Sequence, residues 1–461
     1  MSATVLSPHP REVITRKALI VWVAAVLVYI VAITGRTSFG VASVDAIDRF
    51  GVDASRIAVF TAVQVGVYAL AQIPMGMLID RFGPRKLLVY GAVIMAAGQI
   101  LLGFTSSYWV AIGARVLIGA GDATAFLSVM RILPYWFPLK KTPLFTQMTS
   151  ALGQLGQFLS AVPFLAVLQG PGWTPAFVSL GAVGVLIAIA AGVAVADTPE
   201  SWAADQAGRD GGESDDAHGQ ASRTENERIP VGVLLATILR EPLCWQGFFN
   251  HYSGMLFQIV FTLLWGVPMM TLGMGLSAAT VGMVLTLNVI ASVCAGPLLG
   301  PISARLGTNR ILATFVMSGA IGLAWIIFFL PEEPRGIAAI IVVNVIMALF
   351  TPSSNFGFDD IREGLDRRIV ATATGMANMG GFFGGMITAQ AVGFLLDFSS
   401  AGRAYTWDDF RFAWISVIIA WAIGLLFLFI FRTLVERRRR AARDVEGPTS
   451  GTVRVVDESE S

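Results

Sequence analysis

The side chains best placed to do chemistry in this sequence are charges set within apolar stretches: Arg36, Arg115 and Asp122. A charge in such surroundings is costly unless it faces protein or water, so each is a functional candidate by default. Arg36 has Tyr29 seven positions earlier, two helical turns away on the same face. The planar guanidinium fork of an arginine offers a carboxylate or phosphate two parallel hydrogen bonds, so this pair could hold an anionic group. Arg115 and Asp122 are likewise seven apart and share a face. They read either as a structural polar pair or as coupling groups, with Asp122 taking up and releasing a proton during a cycle. Gln154, Gln157, Gln258 and Asn378 are amides in apolar runs, where they line a cavity or bond between helices.

The elements that position these residues follow from composition. With 55% hydrophobic and 14% charged residues, the chain has more apolar side chain than a soluble core of its size could hide. The apolar residues come in runs of about 20, the length a helix needs to cross roughly 30 Å of hydrocarbon. Twelve spans are expected near 18–43, 57–78, 87–105, 109–136, 143–168, 175–196, 243–270, 277–301, 310–330, 336–358, 368–396 and 410–432. A β-barrel is excluded, because the run from Ala18 to Ile33 is almost continuously apolar rather than alternating. Backbone groups in lipid then require helices, giving an all-α integral membrane protein. Glycine clusters such as Gly119-Ala120-Gly121 and Gly380-Gly381 suit close helix packing. Cys244 and Cys294 lie in apolar runs and read as small hydrophobes, with no disulfide or metal site implied.

Of the 32 lysines and arginines, five lie in loops opposite the N-terminus (Arg49, Arg56, Arg335, Arg403, Arg411) and three in spans, leaving 24 on the N-terminal side. The positive-inside rule makes both termini cytoplasmic, as an even number of spans requires. The expected organisation is a cytosolic segment 1–17, a six-helix half 18–196, a cytosolic linker 197–242, a second half 243–432 and a disordered tail 433–461. The basic run Arg437 to Arg440 fits a cluster held at anionic headgroups rather than a nucleic-acid site. A shift of 224 residues superposes Gly76, Arg81, Gly83 and Lys86 on Gly300, Arg305, Gly307 and Arg310. The same shift sets Gln154, Gly156 and Phe158 on Asn378, Gly380 and Phe382, which points to a duplication of six spans. Duplicated halves suit a transporter, because a site at their interface can face either side as they rock.

The loop Gly76-Met77-Leu78-Ile79-Asp80-Arg81-Phe82-Gly83-Pro84-Arg85-Lys86 resembles, almost position for position, the signature that follows the second span in the major facilitator superfamily. That resemblance implies twelve helices in two halves and a cytosolic gate of Gly76, Asp80, Arg81, Gly83 and Arg85, with the aspartate facing the eleventh helix. The second copy has Ala304 in place of Asp80, so the latch is expected to be one-sided. Arg115-x-x-x-Gly119-x-Gly121-x-Ala123 resembles a second family motif, whose arginine faces the central cavity. Asp197-Thr198-Pro199-Glu200 resembles a third, in which a cytosolic carboxylate, here Glu200, meets the basic loop. Tyr29 to Phe39 looks like the first helix of the anion:cation symporter branch, where the arginine and tyrosine contact substrate. Organic-phosphate members of that branch place a second arginine in the seventh span, where this chain has His251, Tyr252 and Gln258. A monovalent anion is therefore expected over a dianionic phosphate.

The fifth span lacks the Gly-Pro pair of drug:proton antiporters, which weakens drug export as a reading. No GxxxxGK[ST] loop and no nucleophile, base and oxyanion arrangement is present, so the expectation is secondary transport without a cofactor, and no enzyme. The leading expectation is proton-coupled uptake of a small organic anion, a monocarboxylate or sugar acid. Arg36, Tyr29, Gln154, Gln157, Gln258 and Asn378 would bind it, and Asp122 with Arg115 would couple the proton. The partners expected are a small-molecule substrate, a coupling ion that is a proton before sodium, and the bilayer of the cell membrane, with no nucleic acid and a monomeric chain. The alternatives are a multidrug or metabolite exporter of the same family and a non-transporting sensor, the latter needing the acidic linker as its partner surface.

Overall fold

The structure is a computed structural model and describes residues 13–52, 54–209 and 230–446. Among these, every regular element is helical. The first half comprises α1 (Arg16–Val41), α2 (Ala54–Phe82), α3 (Pro84–Phe104) and α4 (Tyr108–Trp136). It continues with α5, which starts as Thr142–Leu159 and ends as Leu165–Gln169, and α6 (Trp173–Ala194). The second half comprises α7, which starts as Pro242–Ile259 and reaches Gly273, then α8 (Ala278–Leu306) and α9 (Arg310–Phe329). α10 starts as Ile337–Phe350 and ends as Phe356–Gly364, followed by α11 (Val370–Ser400) and α12 (Trp407–Glu446).

Ten apolar stretches among the described residues are long enough to cross a bilayer, and α7, bent by 56°, makes an eleventh. One of the ten, Ala279–Phe329, is 51 residues long. As a single rod it would run about 75 Å, more than twice the hydrocarbon thickness. It is divided after Leu306 at Gly307, whose φ of 51° breaks the helix, so α8 and α9 are separate and the count agrees with twelve.

Local sequence accounts for the irregular spans. Pro163 lies in a π-type turn at Ser160–Phe164 inside α5, because proline removes an intrahelical donor and crowds the preceding turn. Thr15 caps α1 by accepting from the Ala18 N–H at 3.1 Å. The linker is not wholly irregular, since helices Pro199–Arg209 and Val231–Arg240 flank residues 210–229, which lie outside the described residues. The tail differs from expectation in a similar way: α12 continues through residues 433–446. Arg432 pairs with Glu436 one turn on at 2.7 Å, and Arg438 reaches Glu241 at 3.2 Å, contacts that favour continued helix.

α4 is an inner element, 78% buried over its most apolar window, whereas α12 is 22% buried and faces lipid. The glycine clusters pack as backbone contacts: a Cβ on Gly119 would lie 2.7 Å from the Gln64 carbonyl oxygen, and one on Gly380 would collide with the Phe248 carbonyl oxygen. Cys244 is buried and Cys294 is exposed.

The halves meet most tightly at the end that carries the termini. A Cβ on Gly76 of α2 would stand 2.6 Å from the Thr372 Cα of α11, and one on Gly300 of α8 would stand 2.5 Å from the Leu144 Cα of α5. These glycines are equivalent under the 224-residue shift, so the two crossings are copies of each other. The central cavity instead reaches Gly40 and Thr262, both exposed, at the opposite end. The conformation is therefore closed on the terminus side and accessible from the other.

Candidate substrate-binding cavity

Between the halves lies a cavity of about 370 Å³ lined by residues of both. Arg36 lines it from α1, and Asp122 of α4 stands buried behind Arg36. They form a bidentate pair, Arg36 Nε to Asp122 Oδ2 at 2.7 Å and Nη2 to Oδ1 at 2.9 Å. The guanidinium lies 4.3 Å from the centre of the Tyr68 ring and 5.7 Å from that of Phe382, so aromatic faces of both halves hold it.

Helix geometry explains why Asp122 meets Arg36 rather than Arg115. Side chains on a helix lean toward its N-terminus, so Arg115 leans away from Asp122, and seven residues separate their Cα atoms by about 10 Å. α1 runs in the opposite sense, so Arg36 leans inward while Asp122 leans outward, and the two converge. The expected Arg115 and Asp122 pair is thus replaced. Arg115 is 1% exposed; its Nη2 reaches the Arg36 carbonyl oxygen at 3.4 Å and its guanidinium lies 4.8 Å from the Phe39 ring centre.

The other residues singled out in the sequence line the same cavity. Tyr29 packs on Phe126, with ring centres 5.4 Å apart. Gln157 donates to the Gln154 Oε1 at 2.7 Å. Gln258 donates to the Asn288 Oδ1 at 2.8 Å, and Asn378 crosses between the halves to the Tyr68 hydroxyl at 3.0 Å and the Gln72 Oε1 at 2.7 Å. His251 lines the cavity too, with Nδ1 3.3 Å from the Ser354 carbonyl oxygen. A carbonyl oxygen only accepts, so Nδ1 carries the proton in that bond. Gln64, Tyr68 and Gln72, which sequence reasoning passed over, recur at a four-residue spacing along one face of α2. That spacing is the signal that could have found them.

At the terminus-side closure, Asp80 accepts from the Ala371 N–H at 3.1 Å, the Thr372 N–H at 2.8 Å and the Thr372 hydroxyl at 2.6 Å, and from Arg131 Nε at 3.1 Å. These amides are the first turn of α11, where unpaired N–H groups and the helix dipole favour a carboxylate. Gly83 adopts φ of 87° and Arg81 is exposed, its guanidinium 5.3 Å from the Phe82 ring centre. Arg85 donates its N–H to Asp197 at 2.7 Å and its guanidinium to the Gly192 carbonyl oxygen at 2.7 Å. Asp197 thus accepts from the backbone of the basic loop, and Glu200 sits three residues on, in the first turn of the helix Pro199–Arg209. Burial pushes the Asp197 carboxyl up from its ordinary range, against the pull of the Arg85 N–H.

The expectation of a one-sided latch is corrected. Although Ala304 cannot reach α5, its neighbour Ser303 donates to Asp359 at 2.6 Å, and Arg362 bonds both Asp359 at 2.6 Å and the Thr146 hydroxyl of the first half at 2.9 Å. Arg310 steadies this cluster through Asp360 at 3.1 Å and Glu363 at 2.7 Å. The second crossing therefore has its own polar tie, with its carboxylate on α10 instead of α8.

The sequence model of the Major Facilitator Superfamily matches residues 25–387. A probable sulfoacetate transporter of Cupriavidus necator is 28% identical over 34% of this chain and 37% of its own length. A probable L-galactonate transporter of Escherichia coli is 26% identical over 40% of each. The chain thus spans about two fifths of these curated relatives. The oxalate:formate antiporter of Oxalobacter formigenes is 25% identical over 85% of each chain. Among solved structures, a variant of the Escherichia coli fucose:proton symporter superposes with a TM-score of 0.63, covering 90% of this chain and 99% of that one at 13% identity, a likeness of fold.

Proposed function

The chain belongs to the major facilitator superfamily, and from that premise we propose that it takes up a small organic anion by proton-coupled alternating access. The observation that carries the proposal is that Arg36, which lines the cavity between the halves, is held in a bidentate pair by the buried Asp122 behind it. While Asp122 is ionised it occupies the Nε and Nη2 edge of the guanidinium and offsets its charge, so it competes with a substrate anion. A proton on Asp122 removes that competitor and frees Arg36 for a substrate carboxylate, so proton and anion bind together and leave together. Tyr29, Gln154, Gln157, Gln258 and Asn378 supply hydroxyl and amide partners for the rest of the molecule, as a hydroxylated acid requires.

Gly76, Asp80 and Arg85 would then form the gate on the terminus side, which positive-inside charge assigns to the cytosol, so that the conformation described is outward-facing. A cell-membrane location and a monomer complete this reading. The names of the relatives, sulfoacetate, L-galactonate and oxalate:formate transporters, support an organic-acid substrate. A cavity-facing arginine amid amides favours this over a drug exporter, whose lining would be mainly aromatic and Met.

The test is uptake in proteoliposomes under an imposed proton gradient. Asp122→Asn is expected to abolish accumulation while retaining counterflow; retained accumulation would remove Asp122 from coupling.

A further inference from the structure

Arg115 is a buried cation whose nearest counter-charge is already taken. It is 1% exposed, and among the described residues its Nε and Nη1 have no hydrogen-bond partner. Both oxygens of Asp122 are held by Arg36. Beside Arg115 stands a second unsatisfied group: Gln64 is fully buried, and neither its Nε2 nor its Oε1 has a partner. Gln64 packs on α4 one turn from Arg115: a Cβ on Gly119 would lie 3.3 Å from the Gln64 Cγ. Both residues line the central cavity. Buried polar atoms are normally paired, so four unpaired ones on two residues of one cavity wall point to a missing ligand.

We infer that Arg115 and Gln64 form a second anion subsite, displaced from Arg36 toward the open end of the cavity, and that the preferred substrate carries two acid groups. This rests on the reading of Arg36 as the contact for the first acid group. The unpartnered Nε–H and Nη1–H lie on different edges of the guanidinium, so each can donate to one acid oxygen, and the amide of Gln64 adds a donor and an acceptor. The charges agree. Arg36 and Arg115 bring two positive charges against one negative on Asp122, and a proton on Asp122 leaves two. A dianion neutralises that protonated site, so one proton accompanies each two-acid substrate. A monoacid at Arg36 leaves Arg115 uncompensated, which makes Arg115 the specificity-determining residue.

The test uses the purified full-length protein in chloride-free buffer, with binding read by calorimetry. The probes are matched pairs: malonate against propionate, succinate against butyrate, and galactarate against galactonate. Wild type is expected to bind at least one diacid ten or more times tighter than its matched monoacid. In Arg115→Gln the diacid should lose at least tenfold and the monoacid less than threefold. Gln64→Leu, which keeps the cavity shape, should narrow the preference in the same direction and serves where Arg115→Gln does not fold. Equal losses for both acids, or no loss, would overturn the inference. Stabilisation of wild type by chloride alone, absent in Arg115→Gln and without any diacid preference, would assign the subsite to an inorganic ion and also overturn it. If no probe binds wild type, the reading of Arg36 fails as well. If Arg36→Ala abolishes binding while Arg115→Gln keeps the diacid preference, the second subsite alone fails.

Discussion

The proposed exchange of partners at Arg36 requires a guanidinium that is presented without being locked. Its contacts include one carboxylate, which a proton can silence, and the aromatic rings of Tyr68 and Phe382, which help to hold the guanidinium in place. Lysine would keep the charge and lose the bidentate geometry. Arg36→Lys is therefore expected to weaken carboxylate binding by about 1.5–3 kcal/mol, the worth of a hydrogen bond to a charged group, or roughly 10- to 100-fold. Direct binding of an organic acid checks this, and unchanged affinity would show that the fork is not the contact. Asp122→Asn removes the competitor permanently. Wild-type affinity for an anion should tighten as pH falls, while the Asn variant should bind with little pH dependence, a comparison made on the same preparation by titration at several pH values.

At the scale of helices, the terminus-side closure includes a carboxylate on one element facing the amino end of another, the contact proposed as the gate. Asp80 of α2 satisfies two N–H groups and a hydroxyl of α11 while Arg131 of α4 holds it in place. Asp80→Asn retains the shape and loses the charge at the helix end, a contribution of about 0.3–1 kcal/mol rising to ~2 kcal/mol when partly buried. That energy shifts the balance between the two facings by up to roughly 30-fold. The expected readout is faster alkylation, from the terminus side, of a cysteine placed on the cavity floor; an unchanged rate would show that Asp80 does not hold the closed state. The tie on α10 is of another kind. Removing Arg362 leaves Asp359 buried with its charge unpaired, and breaking such a pair costs about 3–5 kcal/mol. Arg362→Ala should therefore lower thermal stability as well as loosen the gate, whereas Asp80→Asn should chiefly do the latter.

Across the whole molecule, the two seams on the terminus side are copies under the 224-residue repeat, each made by a glycine that lets two backbones touch. A Cβ at either has no flexible neighbour to displace, because the atoms it meets are main chain. Gly76→Val and Gly300→Val are each expected to force the halves apart at that end and reduce the fraction open on the side opposite the termini. Apparent affinity for substrate from the outer side should then fall in proportion to that fraction. Equal affinities in wild type and both variants would show that the seams do not control the facing.

The sequence by itself determined the solvent and the helical class, and it displayed the 224-residue matches and the loop motif Gly76 to Lys86. These are legible because helix length, apolar composition and a contiguous motif are local or one-dimensional properties. It also marked Arg36, Arg115 and Asp122, since a charge in an apolar run stands out on its own. Only the tertiary structure decided who pairs with whom. Helical spacing tells which face a residue occupies, not which neighbouring helix runs antiparallel to it. Arg115 and Asp122 therefore share a face and still lean the same way, while Arg36 meets Asp122 from a helix of opposite sense. The same limit hid the tie of Ser303, Asp359 and Arg362, because the repeat shows where Ala304 replaces Asp80 but not that α10 supplies the carboxylate.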